Sequence, residues 1–183
     1  MSVVVNQSVN QSNGRERVMA DILVKIDSIQ GESTILGYQR QIHCDSVSHA
    51  IDLPVLTKGS VRAEGASYHG TMELTHKLDC ATPFLKYAAS SRASLGTAVI
   101  TKLRTMAGEP KPVEIVTLQQ TYVVRVEINT PIDYETGYPS DVMTETFSLR
   151  YGAITWKYNL YEDGFLRDTV RSGWSIAEGR LIA

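Results

Sequence analysis

From Asp21 onward, apolar and polar residues mostly alternate with a period of two, the mark of strands whose side chains point to opposite faces in turn. Ile22, Val24 and Ile26 share one face against Lys25 and Asp27, and Gly31 ends the run. A second strand over residues 42–51 would turn Val47 and Ile51 to the core. Over residues 67–78, Tyr68, Met72 and Leu74 alternate with Ser67, Thr71, Glu73 and Thr75. Val124, Val126 and Ile128 alternate with Arg125 and Glu127. Phe147, Leu149 and Tyr151 share a face, and after Gly152 the apolar set becomes Ile154, Trp156 and Tyr158, one residue out of phase. A β-bulge at Gly152 would keep both sets on the core.

One segment departs from this period. Residues 82–90 read as a short helix, with Thr82 as N-cap and Pro83 at the first helical position. Phe84 with Ala88, and Leu85 with Ala89, form its apolar stripe. Turns are expected at 108–112, 133–140 and 162–164, where Gly, Pro and Asp cluster. Residues 53–66 hold Pro54, Gly59 and Gly65 with weak patterning, and read as a long loop or projecting hairpin. Residues 1–18, rich in Asn, Gln and Ser, read as a flexible N-terminal extension, and 19–183 as the folded domain. About eight strands and one helix predict a mainly β protein, a small antiparallel barrel or tight pair of packed sheets.

Composition narrows the function. The 183 residues, 43% hydrophobic and 21% charged, suit one soluble domain. A net charge of -2 weighs against a nucleic-acid binder, which needs a basic surplus. No apolar run approaches the ~18 residues of a membrane span. The N-terminus lacks the basic start and roughly 7–15 apolar residues of a Sec signal, so folding in the cytosol is expected. Cys44 and Cys80 read as reduced thiols.

Candidate chemistry is sparse. His43, His49, His69 and His76 stand in no metal-binding spacing and read as surface or interface residues. There is no GxSxG elbow and no phosphate-binding glycine motif. Cys44, close to His43 and His49, reads as a small buried hydrophobe rather than a nucleophile. Arg150, Lys157, Arg167, Arg171 and Arg180 interleave with Glu162, Asp163, Asp168 and Glu178 as a mixed surface. Tyr151, Trp156, Tyr158 and Trp174 suit core or interface positions. No catalytic, metal or cofactor-binding residue is assigned.

Several stretches, in order, resemble one family. Residues 19–26, followed by Ile29-Gln30-Gly31-Glu32-Ser33, are similar to the opening strand and "GES" turn of the haemolysin-coregulated protein (Hcp) family. Leu78-Asp79 and Thr82-Pro83 before an aromatic and alanine-rich helix resemble its helix start. Residues 98–108, 113–128 and 145–158, and Gly173-Trp174, resemble its later strands and closing motif. Two features depart from the family: residues 1–18 have no counterpart, and the second strand lacks the family's frequent tryptophans.

The resemblance implies a barrel with one helix that assembles with itself into homohexameric rings. Such rings stack into a hollow tube inside a contractile sheath, the inner tube of a type VI secretion system. It also implies a structural protein, not an enzyme, with no cofactor, no nucleic-acid partner and no membrane insertion. Its partners would be other copies, a spike protein, the sheath and carried effectors, and it would leave the cell without a Sec signal. On this reading Leu53, Pro54, Val55, Leu56, Thr57, Lys58, Gly59, Ser60, Val61 and Arg62 are the candidate ring-stacking loop, since a projecting element can reach the next ring. Ser46 and Ser48, with Asp52, are the candidate lumen face, since a channel wall is hydrated. The alternatives are a phage tail-tube-like protein, a small-ligand-binding barrel, and an enzyme using Cys44 or a histidine pair.

Overall fold

The period-two stretches fold as strands. The computed structural model describes residues 20–58, 61–64, 67–130 and 142–182, with backbone alone for 55–58 and 61–64. In chain order the strands are β1 (Ala20–Ile26), β2 (Ile42–Ser48), β3 (Ile51–Asp52), β4 (Val55–Lys58), β5 (Val61–Glu64), β6 (Tyr68–His69) and β7 (Met72–Lys77). After the helix α1 (Thr82–Ser91) come β8 (Ser94–Met106), β9 (Glu109–Asn129), β10 (Thr144–Arg150), β11 (Ala153–Glu162), β12 (Phe165–Ser175) and β13 (Arg180–Leu181). The main sheet runs β10-β7-β2-β1-β8-β9-β11-β12-β13, and a further β10–β9 pairing closes β1, β2, β7, β8, β9 and β10 into an antiparallel barrel. The expected turn at 133–140 lies outside the described residues.

Closure depends on β9. Its first half pairs with β11, from Glu114↔Tyr158 to Gln119↔Ala153, and its second half pairs with β10, from Tyr122↔Arg150 to Asn129↔Thr144. β10 and β11 therefore follow one another along the same edge, interrupted at Tyr151 and Gly152. Gln120, with φ 54°, supplies the kink on the β9 side. A Cβ on Gly152 would press against the Gln120 side chain. The expected phase slip at Gly152 is real, but it is a break where the chain leaves the barrel for an outer sheet. Phe147, Leu149, Tyr151 and Ile154 are buried and Trp156 packs on the core, as expected, while Tyr158 is about half exposed.

A second irregularity corrects the β9 face. Opposite β10 the register passes from Arg125↔Ser148 to Val123↔Leu149, which leaves Val124 as an extra residue. Val123 is therefore buried and Val126 packs on the core, while Val124 and Ile128 are exposed. Period alone could not find a bulge that leaves an apolar residue outside.

The hairpins form where residues tolerate left-handed backbone. Ala107-Gly108 and Asp163-Gly164, all at positive φ, make two-residue turns after β8 and β11. The first expected turn is thus shorter than 108–112, and Pro110 and Pro112 lie within β9. Proline has no N–H to donate, and the β11–β9 ladder stops at Glu114. The Pro112 carbonyl instead accepts from Asn159 Nδ2 at 2.8 Å and the Tyr161 hydroxyl at 3.2 Å.

The barrel interior is filled by side chains, among them Val24, Ile42, Leu74, Ile100, Leu118, Phe147 and Leu149. α1 covers one side with Leu85 and Ala88, as the stripe predicts, but Phe84 and Tyr87 are exposed on its outer surface. The cap also differs. Ala81 is the N-cap and Thr82 lies inside the helix, with no side-chain cap bond. Asp79 Oδ1 instead accepts from the Ala81 N–H at 2.8 Å, and the Thr82 hydroxyl oxygen accepts from the Asp79 N–H at 3.4 Å. Gly31 packs so closely on the start of β2 that a Cβ there would lie 2.6 Å from the Gln41 carbonyl oxygen and the Ile42 Cα.

Two of the buried polar residues are ionisable and meet each other. His76 on β7 and Glu145 on β10 are paired in register and fully buried, with Nε2 to Oε1 at 3.2 Å. Asp79 Oδ1 lies 3.7 Å from His76 Nδ1, and Lys86 Nζ lies 3.9 Å from Glu145 Oε2. The pair ties the β7–β10 seam to the helix. Truncating one partner of a buried polar pair leaves the other desolvated and unmatched. Glu145→Ala should therefore lower stability by about 3 kcal/mol in chemical denaturation, and the apolar double replacement His76→Phe with Glu145→Leu should recover most of it.

Candidate functional site

Two surfaces stand apart from the filled barrel. The first is an arm. After β2, β3 pairs with β6 through Ile51↔His69 and Asp52↔Tyr68. Further out, β4 pairs with β5 from Val55↔Glu64 to Lys58↔Val61. Both ladders are separate from the main sheet, so the arm is a hairpin held at its root. At ~3.3 Å per residue, eight residues of extended chain reach about 25 Å.

The structure places Leu53, Pro54, Val55, Leu56, Thr57, Lys58, Val61 and Arg62 on this hairpin, with Leu53 and Pro54 exposed. Gly59 and Ser60 lie outside the described residues. Ile51 and Asp52 also belong to the arm and are exposed, which corrects the placing of Ile51 in the core and of Asp52 on the barrel wall. β2 itself ends at Ser48. Ser46 and Ser48 are exposed and Val47 packs on the core, so the two serines share the outer face of that strand.

The second surface is the outer ribbon of β11 and β12. Ile154, Trp156 and Trp174 meet the core, and the same face continues outward through the cross-strand pair Tyr158↔Val170 and through Leu160. Those three are about half exposed, as is Leu166, and Phe165 at the turn is more so. β13 pairs only with Trp174 and Ser175, which leaves the β12 edge from Phe165 to Ser172 open among the described residues.

The histidines have distinct surroundings. His43 Nε2 lies 3.0 Å from Asp21 Oδ1 on the surface. His76 is buried, which the surface reading missed. The signal was there: His76 is in phase with Met72 and Leu74, as Glu145 is with Phe147 and Leu149. His49 and His69 meet across the arm root at the Tyr151 hydroxyl, 2.6 Å from His49 Nε2 and 3.5 Å from His69 Nδ1. Sequence spacing gave no hint of that meeting, because the three residues come from separate segments.

Among the described residues, no three His, Cys, Asp or Glu side chains are placed to hold a metal ion. Both cysteines are free. Burial, with Asp45 and Asp79 nearby, pushes the Cys44 thiol far up, so it stays protonated and is a poor nucleophile. No helix among the described residues is long and apolar enough to cross a membrane.

The family model described as "Type VI secretion system effector, Hcp" matches residues 23–158. The chain belongs to the Hcp family. No curated protein matches. Among solved structures, one described as a type six secretion system protein is 20% identical, with a TM-score of 0.79 over 90% of this chain and 100% of that one. Hcp1 from Salmonella typhimurium is also 20% identical, with a TM-score of 0.70 over 89% of this chain and 99% of its own. The secreted protein Hcp3 from Pseudomonas aeruginosa is 16% identical, with a TM-score of 0.61 over 85% and 96%. These likenesses agree on the fold.

The two thiols of this Hcp-family chain should separate in a thiol titration. Native protein should react at Cys80 alone, denatured protein at both, and Cys80→Ser should remove the native signal.

Proposed function

We propose that this chain is the ring subunit of a type VI secretion inner tube. Copies close side to side into hexamers, the hexamers stack into a hollow tube, and the tube is expelled with effectors, a spike protein at its tip and a sheath around it. Its role is mechanical rather than catalytic. The observation that carries this reading is the face that begins in the core at Ile154 and runs uncovered through Tyr158, Val170 and Leu160 to an open strand edge. Contiguous apolar surface and open edges on soluble proteins mark association, and a repeated heterologous contact that closes makes a ring. Family membership supplies the kind of ring.

The arm supports the second contact. A hairpin whose two strand ladders are separate from the main sheet can reach a neighbouring ring, and the stacking role is assigned to 53–62 on that basis. Ser46 and Ser48 are assigned to the lumen because they are small, polar and exposed.

Size-exclusion light scattering with negative-stain microscopy tests the ring. Particles of six times 20.2 kDa with a central hole are expected, and a clean monomer at high concentration would sink the reading. Leu160→Glu with Val170→Glu should give a folded monomer, with the same circular dichroism as the parent. Ser48→Trp should leave rings intact while narrowing the channel and weakening cargo retention. Loss of folding on that substitution would show that Ser48 does not face the channel.

A further inference from the structure

We propose that His49, Tyr151 and His69 form an acid-sensitive latch that fastens the root of the arm to the corner of the barrel. His49 follows β2, His69 lies on β6, and Tyr151 sits in the break between β10 and β11. The β3–β6 ladder binds the two sides of the root to each other, and Gly70 N–H donates to the Ala50 carbonyl at 3.0 Å. Neither bond reaches the β10–β11 corner. The Tyr151 hydroxyl does, because both imidazoles converge on it.

The hydroxyl has one proton to give. Its shorter contact is with His49 Nε2, which accepts, and His69 Nδ1–H donates to the hydroxyl oxygen. This arrangement needs a neutral His49, since a protonated Nε2 cannot accept, and protonating both rings leaves the hydroxyl with no imidazole acceptor. The ring centroids of His49 and His69 are 6.5 Å apart, so two imidazolium ions there would repel. Burial, and then the charge of His69, hold His49 below its ordinary value, and burial holds His69 below its own. Burial pushes Tyr151 up to about 12, so it keeps its proton throughout.

The surroundings offer an added positive charge little relief. A hollow of about 510 Å³ opens on His69, Tyr68, Arg150 and Tyr151, and a larger adjoining one adds Arg92 and Tyr122. Among the described residues neither is lined by a carboxylate. On the arm, Asp52 is exposed and paired with Tyr68. On β7, Glu73 is exposed opposite Ser48. Arg125 on β9 is exposed and bonded to Glu127. None of these carboxylates has a hydrogen bond to either imidazole among the described residues.

The sign follows from linkage. The latched state binds fewer protons than an open root, whose histidines titrate near 6.5. The latch is therefore complete above that value and weakens as pH falls through it toward the lower latched values. Opening is favoured by up to about tenfold per pH unit for each histidine. If the arm stacks rings, acid loosens stacking; that consequence rests on the proposed function, whereas the latch itself does not.

The chain's two tryptophans provide a reporter, since Trp156 and Trp174 line a small cavity with His69 and Ile51. Tryptophan emission of the full-length protein should change between about pH 7.5 and pH 5 with a midpoint below 6.5. Hydrogen exchange over residues 50–70, corrected for its intrinsic pH dependence, should accelerate over the same range. The double variant His49→Gln with His69→Gln should abolish both transitions, and Tyr151→Phe should show fast arm exchange already at neutral pH. A pH-independent signal in the parent, or a transition that survives in the double variant, would overturn the latch. Ring assembly measured at neutral pH tests the tube separately, so loss of one reading leaves the other standing.

Discussion

The fold depends on one strand serving three neighbours. β9 gives one edge to β8 from Glu109 to Tyr122 and divides the other between β11 and β10. Without its second half the barrel stays open, and without its first half the outer ribbon has nothing to grow from. The kink at Gln120, facing the chain break at Gly152, lets a single strand belong to a closed barrel and an open sheet. Both proposed working surfaces lie next to that corner, because Tyr151 holds the arm root and Ala153 begins the ribbon.

Much of this was legible from residue pattern. The alternation in β1, β7 and β10 named the faces that are buried, and Thr82-Pro83 placed the start of the helix to within one residue. The phase slip at Gly152 was visible, although its meaning, a change of sheet, was not. Where reading failed, the cause was tertiary. Val124 and Ile128 continue an apolar alternation that a bulge turns outward. Phe84 and Tyr158 look like core residues because they are large and apolar, yet a surface built for association needs the same residue types. Period distinguishes inside from outside along one chain, and it has no access to faces that other copies cover.

Polar residues carried the quieter information. His76 and Glu145 each occupy an apolar phase, and two such exceptions on neighbouring strands are most economically explained by each other. Their pairing needs the β7–β10 register, which sequence alone does not supply. His49 and His69 were harder, because their partner Tyr151 is remote in sequence and each alone is an ordinary surface histidine. The weak patterning over residues 53–66 suggested a projecting hairpin without saying what would hold it.

The prolines of β9 have a consequence for how copies can meet. Pro110 and Pro112 delete alternate amide donors at the start of the strand, and Asn159 and Tyr161 occupy the Pro112 carbonyl that remains. A foreign strand arriving there finds no ladder to extend. The β12 border from Phe165 to Ser172 is left as the more receptive margin, so edge-on pairing is discouraged on one side of the sheet and admitted on the other.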